Sequence, residues 1–541
     1  MMCSKGEAMT KKLGNYLIET LEARGVRHVF GIPGVHNLEL YRGLAASSIR
    51  HITGRHEQGL GFMADGYARV TGTPGVCFTI TGPGLTNIAT AMGQAYGDSI
   101  PLIVIASENR RGEIGTGRGF LHELPDQLGL AAKVAISAER VESPAALPDA
   151  LARAFAAATQ ARPRPAYLEI PRDVLAADAV GLPTPAAVAA PAARPAAPAE
   201  IAESARRLRA ARAPVILAGG GAVHAAAELR QVAETLRAPV IMTINARGLL
   251  PPQHPLAISL SPSLGPIRDL LAASDAVLAV GTELGMTDYD MYSVGNFPAL
   301  RELIRIDIDA PQLERNLHPS LALLGDARET LRAMLAVGLG TAPAERGSGA
   351  ARAASAAAMQ TLSAAMQREI AFLDVIRDTV PGAIMVGDST QPVYAGNLGF
   401  AAASPGSWFN SATGYGTLGY ALPASTGAGL GAPERPVICL VGDGGLQFSL
   451  GELAVPRDVD AWSAIIVWNN RGYGEIKTSM LAVGIEPEGV DVRPPDFAHL
   501  ARAYGYVHSS IDSLDALAAA LREFRARRQV VMLEVRAERF E

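Results

Sequence analysis

Short aliphatic and β-branched runs alternate along the whole chain with longer stretches of helical period. In the first third, Val26–Ile32, Val76–Thr81, Leu102–Ser107 and Ala166–Ile170 are apolar runs, the pattern of strands buried on both faces. Between them, Leu13–Arg24, Gln58–Thr71 and Thr86–Gly97 carry apolar residues at helical spacing. The middle third repeats the alternation with Val215–Ala218, Val240–Ile244, Ala276–Val280 and Leu303–Ile308. The last third does so with Ala383–Val386, Val437–Val441, Ser463–Trp468 and Val530–Val535. Strand–helix alternation three times over predicts an α/β protein of three doubly wound parallel-sheet domains. Two stretches rich in Ala, Pro and Gly, from about Ala176 to Ala199 and from about Gly338 to Ala354, read as linkers. They set expected domains at 1–178, 195–338 and 355–541, each of ordinary domain size. The first and third parts look architecturally alike without obvious sequence repetition.

Composition narrows the class. Hydrophobic residues make up 49% and charged residues 19%, enough apolar material for several cores and far from a disordered chain. The net charge of −5 argues against a nucleic-acid surface, which needs a basic excess. Three cysteines, Cys3, Cys77 and Cys439, sit far apart, so neither a zinc spacing nor a disulfide framework is expected. The polar start, Met1 to Leu13, lacks the apolar stretch of a signal peptide, and no apolar run reaches membrane-spanning length. The expected location is the cytoplasm.

Chemistry concentrates at two strand ends in the last third. The run Val437–Val441 leads into Gly442-Asp443-Gly444-Gly445, and Ala464–Trp468 leads into Asn469-Asn470-Arg471-Gly472. Open parallel sheets bind ligands at the carboxyl ends of their strands. A carboxylate, an amide oxygen and a backbone carbonyl are hard donors suited to Mg²⁺. The glycines at 444 and 445 let backbone N–H groups approach phosphate oxygens at a helix start.

This paired element resembles the cofactor signature of the thiamine-diphosphate decarboxylase and acetolactate-synthase superfamily, and further family motifs follow in order along nearly the whole chain. The resemblance implies thiamine diphosphate held through Mg²⁺ by Asp443, Asn470 and the carbonyl of Gly472. It implies that Glu57, in Arg55-His56-Glu57-Gln58, hydrogen-bonds the cofactor's aminopyrimidine and acts in its proton transfers. In Gly414-Tyr415-Gly416-Thr417-Leu418-Gly419, Leu418 would prop the bent cofactor and Gly416 would offer its carbonyl. Gly387-Asp388-Ser389-Thr390-Gln391 would contribute Thr390 near the pyrophosphate, beside Gly444 and Gly445. The turns Gly31-Ile32-Pro33-Gly34 and Gly82-Pro83-Gly84-Leu85-Thr86-Asn87 would approach the substrate region. In this family the first domain of one subunit meets the third of another, so a homodimer at least, and a homotetramer as the usual form, is implied.

The substrate class follows from departures. Pyruvate decarboxylases carry an aspartate where Val35 stands, followed here by His36, and a His-His pair where His122-Glu123 stands. His122 and Glu475 are expected catalytic groups beside Glu57, and His36, Glu108, His122, Glu123, Glu475 and Ile476 are expected to line the substrate pocket. A carboxylate at 475 is costly without a cationic partner, and carboxylates suit a guanidinium. The first-third segments Gly31–Leu44, Arg55–Arg69 and Gly117–Gln127 resemble decarboxylases of 5-guanidino-2-oxopentanoate (2-ketoarginine). The expected reaction is therefore non-oxidative decarboxylation of a cationic 2-oxo acid, to 4-guanidinobutanal and CO₂. An acetolactate-synthase-like carboligase and a non-catalytic thiamine-diphosphate-binding protein stand as alternatives. Gly219-Gly220-Gly221 and Gly281-Thr282-Glu283 in the middle third mark the place where some relatives bind FAD or ADP; no flavin is expected here.

Overall fold

A computed structural model describes residues 11–188, 192–286, 297–340 and 347–540. Cys3, the first ten residues and parts of both expected linkers lie outside them. The first sheet is built from β1 (His28–Gly31), β2 (Arg50–Thr53), β3 (Gly75–Thr79), β4 (Leu102–Glu108), β5 (Ser137–Arg140) and β6 (Ala166–Pro171). The second holds β7 (Pro214–Ala218), β8 (Val240–Met242), β9 (Ala257–Ile258), β10 (Ala276–Val280), β11 (Leu303–Asp307) and β12 (Leu321–Leu324). The third holds β13 (Ile384–Gly387), β14 (Trp408–Asn410), β15 (Val437–Gly442), β16 (Ser463–Asn469), β17 (Val507–Ile511) and β18 (Val531–Arg536). Every pairing within the sheets is parallel.

The strand orders are β2-β1-β3-β4-β6-β5, β12-β11-β10-β7-β8-β9 and β14-β13-β15-β16-β18-β17. The first and third sheets thus share one topology, while the second follows the dinucleotide-fold order. All twelve apolar runs predicted as strands form strands, and each is one of the four central strands of its sheet. The six strands that the pattern missed are the edges. Ser137–Arg140 is half-exposed throughout, and Arg50–Thr53 and Val507–Ile511 are polar on most positions, so neither shows a buried run. Trp408–Asn410 is buried but only three residues long.

The first sheet forms one compact unit of its own, and the second and third sheets share another. In that second unit, Ala351 and Ala358 of the helix Ser348–Thr361, with Ile370 and Ala395, pack into the same core as Val215, Leu217, Val277 and Ala279 of the middle sheet. One apolar core thus joins the middle sheet to helices of the last part of the chain, within the same compact unit. The glycine turns of the middle part let the ends of two neighbouring strands, β7 and β10, approach closely. A Cβ on Gly219 would meet the carbonyl of Gly281 at 2.3 Å, and one on Gly221 would meet the Cα of Gly281 at 2.9 Å. Among the described residues no helix is long and apolar enough to cross a membrane.

Candidate functional site

The third sheet builds a cluster of oxygens at its carboxyl edge. Asp443 follows β15 directly and opens the helix Asp443–Gln447. Asn470 follows β16. Gly472 is fixed by the hydrogen bond from Tyr473 N to Val490 O (2.9 Å), and a Cβ on Gly472 would meet that same carbonyl at 2.3 Å. The side-chain oxygen of Asn470 lies 2.7 Å from the carbonyl oxygen of Gly472 and 3.0 Å from Asp443 Oδ1. The second oxygen of Asp443 is buried without a hydrogen-bond partner. With the amide so oriented three acceptors face one another, which a cation among them would relieve; the turned-over amide would instead donate to both neighbours.

For a cation held among these oxygens, the spacing bears on its size. Neighbouring ligands of an octahedral Mg²⁺, each 2.0–2.1 Å from the metal, stand about 2.9 Å apart, whereas Ca²⁺ ligands at 2.3–2.6 Å stand roughly 3.3–3.7 Å apart. The observed 2.7 and 3.0 Å suit the smaller ion. Among the described residues no group of three His, Cys, Asp or Glu converges. One carboxylate, one amide and one carbonyl form a low-charge set that fits a Mg²⁺ taking its remaining oxygens from a phosphate. Burial pushes the Asp443 carboxyl up to about 6, against backbone donors that pull it down.

Around this cluster the glycines make room. A Cβ on Gly444 would strike the Tyr473 ring at 2.7 Å, and one on Gly442 would reach the hydroxyl of the buried Thr390 at 3.1 Å. A Cβ on Gly445 would meet Asp388 Oδ1 at 3.1 Å. Asp388, wholly buried, accepts from Ser389 N (2.9 Å) and Ala421 N (3.1 Å). It thereby ties the end of β13 to the segment Gly414–Tyr420, which carries the exposed Gly416 and the half-buried Leu418. Glu475 and Ile476 lie exposed in the first turn of the helix Gly474–Ala482, which buries none of its residues.

The carboxyl edge of the first sheet is different in kind. Glu57 opens the helix Glu57–Thr71 behind an N-cap on His56, and its Oε2 accepts from Asn87 Nδ2 at 2.9 Å. Asn87 sits in the first turns of the helix Pro83–Asp98. His36 is buried, and its ring stacks on His122 at 4.9 Å and 24°. Burial, then the neighbouring His122 and Arg172, holds the His36 imidazole below its ordinary pKa, so it is neutral at pH 7. His122 has a left-handed backbone (φ 65°) and its Nδ1 lies 3.2 Å from the Thr81 carbonyl. A carbonyl only accepts, so Nδ1 is the donor in this contact. Gly82 permits this approach, since a Cβ there would meet His122 O at 2.5 Å.

Two acids expected to face the substrate are engaged inside the protein. Glu123 accepts from Gly117 N (2.7 Å), Gly119 N (3.0 Å), Phe120 N (3.1 Å) and Thr116 Oγ1 (3.2 Å). It staples its own glycine-rich loop. Glu108 is buried and accepts from Thr81 Oγ1 and from Asn109 N, each at 2.7 Å. Burial raises its pKa, with those two hydrogen bonds opposing. Sequence reasoning treated both as open carboxylates. It also missed Asn87 and Gln391 as partners of Glu57 and Asn470, because a contact across 30 or 79 positions leaves no trace in local spacing.

Comparison with known proteins agrees with this geometry. Models of the thiamine pyrophosphate (thiamine diphosphate) enzyme family match as an N-terminal binding domain over residues 11–130, a central domain over 201–334 and a C-terminal binding domain over 388–535. The chain belongs to this family of thiamine-diphosphate enzymes. It is 46% identical over 538 residues, covering 98% of this chain and 93% of the other, to the "Probable 2-ketoarginine decarboxylase" of Pseudomonas aeruginosa. It is 30% identical to the acetolactate synthase isozyme 1 large subunit of Escherichia coli, over 87% of this chain and 84% of that one. A probable acetolactate synthase large subunit of Methanocaldococcus jannaschii is also 30% identical, over 96% of this chain and 90% of that one.

Proposed function

We propose that this enzyme decarboxylates a 2-oxo acid with a cationic, guanidino-type side chain, using thiamine diphosphate held through Mg²⁺. The observation that carries the reading is the near-full-length identity of 46% to a protein named for 2-ketoarginine, against 30% to the acetolactate synthases. Asp443, Asn470 and the Gly472 carbonyl are assigned to Mg²⁺, and Gly444, Gly445 and Thr390 to the diphosphate. Leu418 and Gly416 are assigned to the thiazolium and aminopyrimidine.

Bound thiamine diphosphate supplies the carbon nucleophile and the electron sink that a 2-oxo acid needs to release CO₂. The residues of this chain position and move protons around it. Glu57 shares a proton with the aminopyrimidine, and Asn87 fixes the carboxyl by holding Oε2. His122 takes and returns a proton at Nε2, because Nδ1 is committed to Thr81. The buried, neutral ring of His36 backs that imidazole without adding charge. With Glu108 and Glu123 engaged within their own unit, Glu475 is the carboxylate we assign to the guanidinium, beside Ile476.

A homodimer at least, with a homotetramer as the expected form, completes the proposal. Exposed Val35, Leu38 and Leu121 in the first unit, and Tyr415, Phe448, Ile476 and Leu481 in the second, lie on or beside segments that carry site residues. Exposed apolar side chains gathered at functional segments mark an interaction surface. Sedimentation of the full-length protein reads the assembly directly.

The function test supplies 5-guanidino-2-oxopentanoate, pyruvate and 2-oxobutanoate in turn, and measures CO₂, aldehyde and acyloin. The expected result is CO₂ with 4-guanidinobutanal from the first substrate. Acyloin from pyruvate, without CO₂ from the guanidino acid, selects the carboligase reading instead. Tight cofactor binding with no product from any of the three selects a non-catalytic binding protein.

A further inference from the structure

The oxygen cluster at Asp443 requires the Asn470 amide to point one way. Turned over, that amide would donate to both Gly472 O and Asp443 Oδ1, at 2.7 and 3.0 Å, and the cation site would close on itself. In the arrangement observed, Asn470 Nδ2 donates to Gln391 Oε1 at 3.1 Å. The same Oε1 accepts from Trp468 Nε1 at 2.9 Å. An indole N–H can only donate, so Gln391 must present its oxygen to Trp468, and that oxygen in turn admits only the N–H face of Asn470. Turning Asn470 would set its oxygen against Gln391 Oε1. Turning both amides would set an NH₂ against the indole N–H.

The anchor of this relay does not move easily. Trp468 is buried and packs edge-on against Phe372 at 5.4 Å and on Phe540 at 5.9 Å. Gln391 opens the helix Gln391–Gly399. The far end of that helix is clamped by the buried Arg247, which donates to the carbonyls of Gly396 (3.2 Å), Asn397 (2.8 Å) and Phe400. Gly474 leaves the amide its space, since a Cβ there would stand 2.7 Å from Asn470 Nδ2.

We propose that Gln391 is a positioning residue of the metal site: held by the Trp468 indole, its side-chain oxygen fixes the Asn470 amide with its oxygen toward the cation. This rests on the Mg²⁺ reading of Asp443, Asn470 and Gly472. Partners behind a metal ligand commonly set about 10–100-fold in affinity. Gln391→Met keeps length and volume and removes the acceptor. Gln391→Glu keeps an acceptor for both N–H groups.

The test titrates EDTA against full-length protein loaded with thiamine diphosphate and Mg²⁺, and reads metal release and the accompanying change in tryptophan fluorescence. Gln391→Met should release Mg²⁺ at least about tenfold more readily than the wild type, and Gln391→Glu should stay within about threefold of it. Trp468→Phe, which keeps the ring packing and removes the indole N–H, should fall between. A Met variant within about twofold of wild type overturns the inference. So does a Glu variant as weak as the Met variant, since volume rather than the acceptor would then matter. Asp443→Ala separates the two levels. If it retains Mg²⁺, the metal reading falls and this inference with it. If it loses Mg²⁺ while Gln391→Met does not, only the role of Gln391 falls.

Discussion

The first and third sheets share one strand order and put opposite chemistry at their carboxyl edges. In the third, acceptor oxygens converge: Asn470, Gly472 and Asp443 face one another, and Asp443 Oδ2 is buried without a partner. In the first, the acids and the histidine named above have partners inside the protein: Glu57 has Asn87, His122 has Thr81, and Glu108 and Glu123 are taken up by neighbouring donors, although Ser107 Oγ and Asn109 Oδ1 are buried without one. In the function proposed above, one edge receives a cation and the other holds protons at fixed atoms. The comparison teaches that topology supplies strand ends as sites, and that the few residues after each strand decide what the site does.

The sharpest way to break this division is a crossed pair of substitutions. Asp443→Ala should abolish both Mg²⁺ retention and turnover. Glu57→Gln should lower kcat by about 10²–10⁴-fold, the range of a positioned general acid or base, while leaving Mg²⁺ affinity within about threefold. If Glu57→Gln loosens the metal as much as Asp443→Ala, the two edges are not separate in function.

Acid pH bears on the third sheet's side of the comparison through Asp443. Burial holds the Asp443 carboxyl at about 6 without a cation, and the metal binds its ionised form. Protons therefore compete below that value. Apparent Mg²⁺ affinity should be flat above about pH 7 and fall about tenfold per unit below about pH 6. Asp388, also raised to about 6 by burial, ties together the adjacent loop, and its protonation should steepen the fall. Affinity unchanged between pH 7 and pH 5 in calorimetric titrations would remove Asp443 from the metal.

Asn87→Ala tests the first sheet more gently. A hydrogen bond to a charged group contributes about 1.5–3 kcal/mol, so kcat should fall roughly 10–100-fold with Mg²⁺ affinity unmoved. Combined with Glu57→Gln, the loss should be well short of the product of the two, because Asn87 acts through Glu57. The smallest effect is expected at Glu475, which is exposed. An exposed ion pair contributes about 0–1 kcal/mol. Glu475→Leu should cost a guanidino substrate only a few-fold in kcat/KM relative to an uncharged 2-oxo acid, with cofactor binding intact. Unchanged selectivity would move the guanidinium elsewhere.

Legibility followed burial. The twelve central strands were readable because both faces of each lie under helices, which leaves an unbroken apolar run. The edges were not: Ser137–Arg140 is half-exposed, Arg50–Thr53 and Val507–Ile511 are mostly polar, and Trp408–Asn410 and Ala257–Ile258 are too short to form a run. Site residues divided in the same way. Asp443, Asn470 and Glu57, the ligands and proton-transfer group proposed above, stand directly after a strand or at a helix start, where the local pattern singles them out. Glu123 stands in a loop of comparable appearance, yet its charge is spent on Gly117, Gly119 and Phe120. No local feature distinguishes an acid that staples a loop from one that meets a ligand.

The sequence by itself determined three parallel α/β sheets, the likeness of the first and third, and which strand ends carry the thiamine-diphosphate signature. Those properties depend on period and on neighbours within a few residues. Only the tertiary structure decided which polar groups remain unpaired. The orientation of Asn470 through Gln391 and Trp468, the grip of Asn87 on Glu57 and the engagement of Glu108 by Thr81 join positions far apart in the chain. Hydrogen bonding is directional and short in range, so it is settled only after packing has brought the partners together.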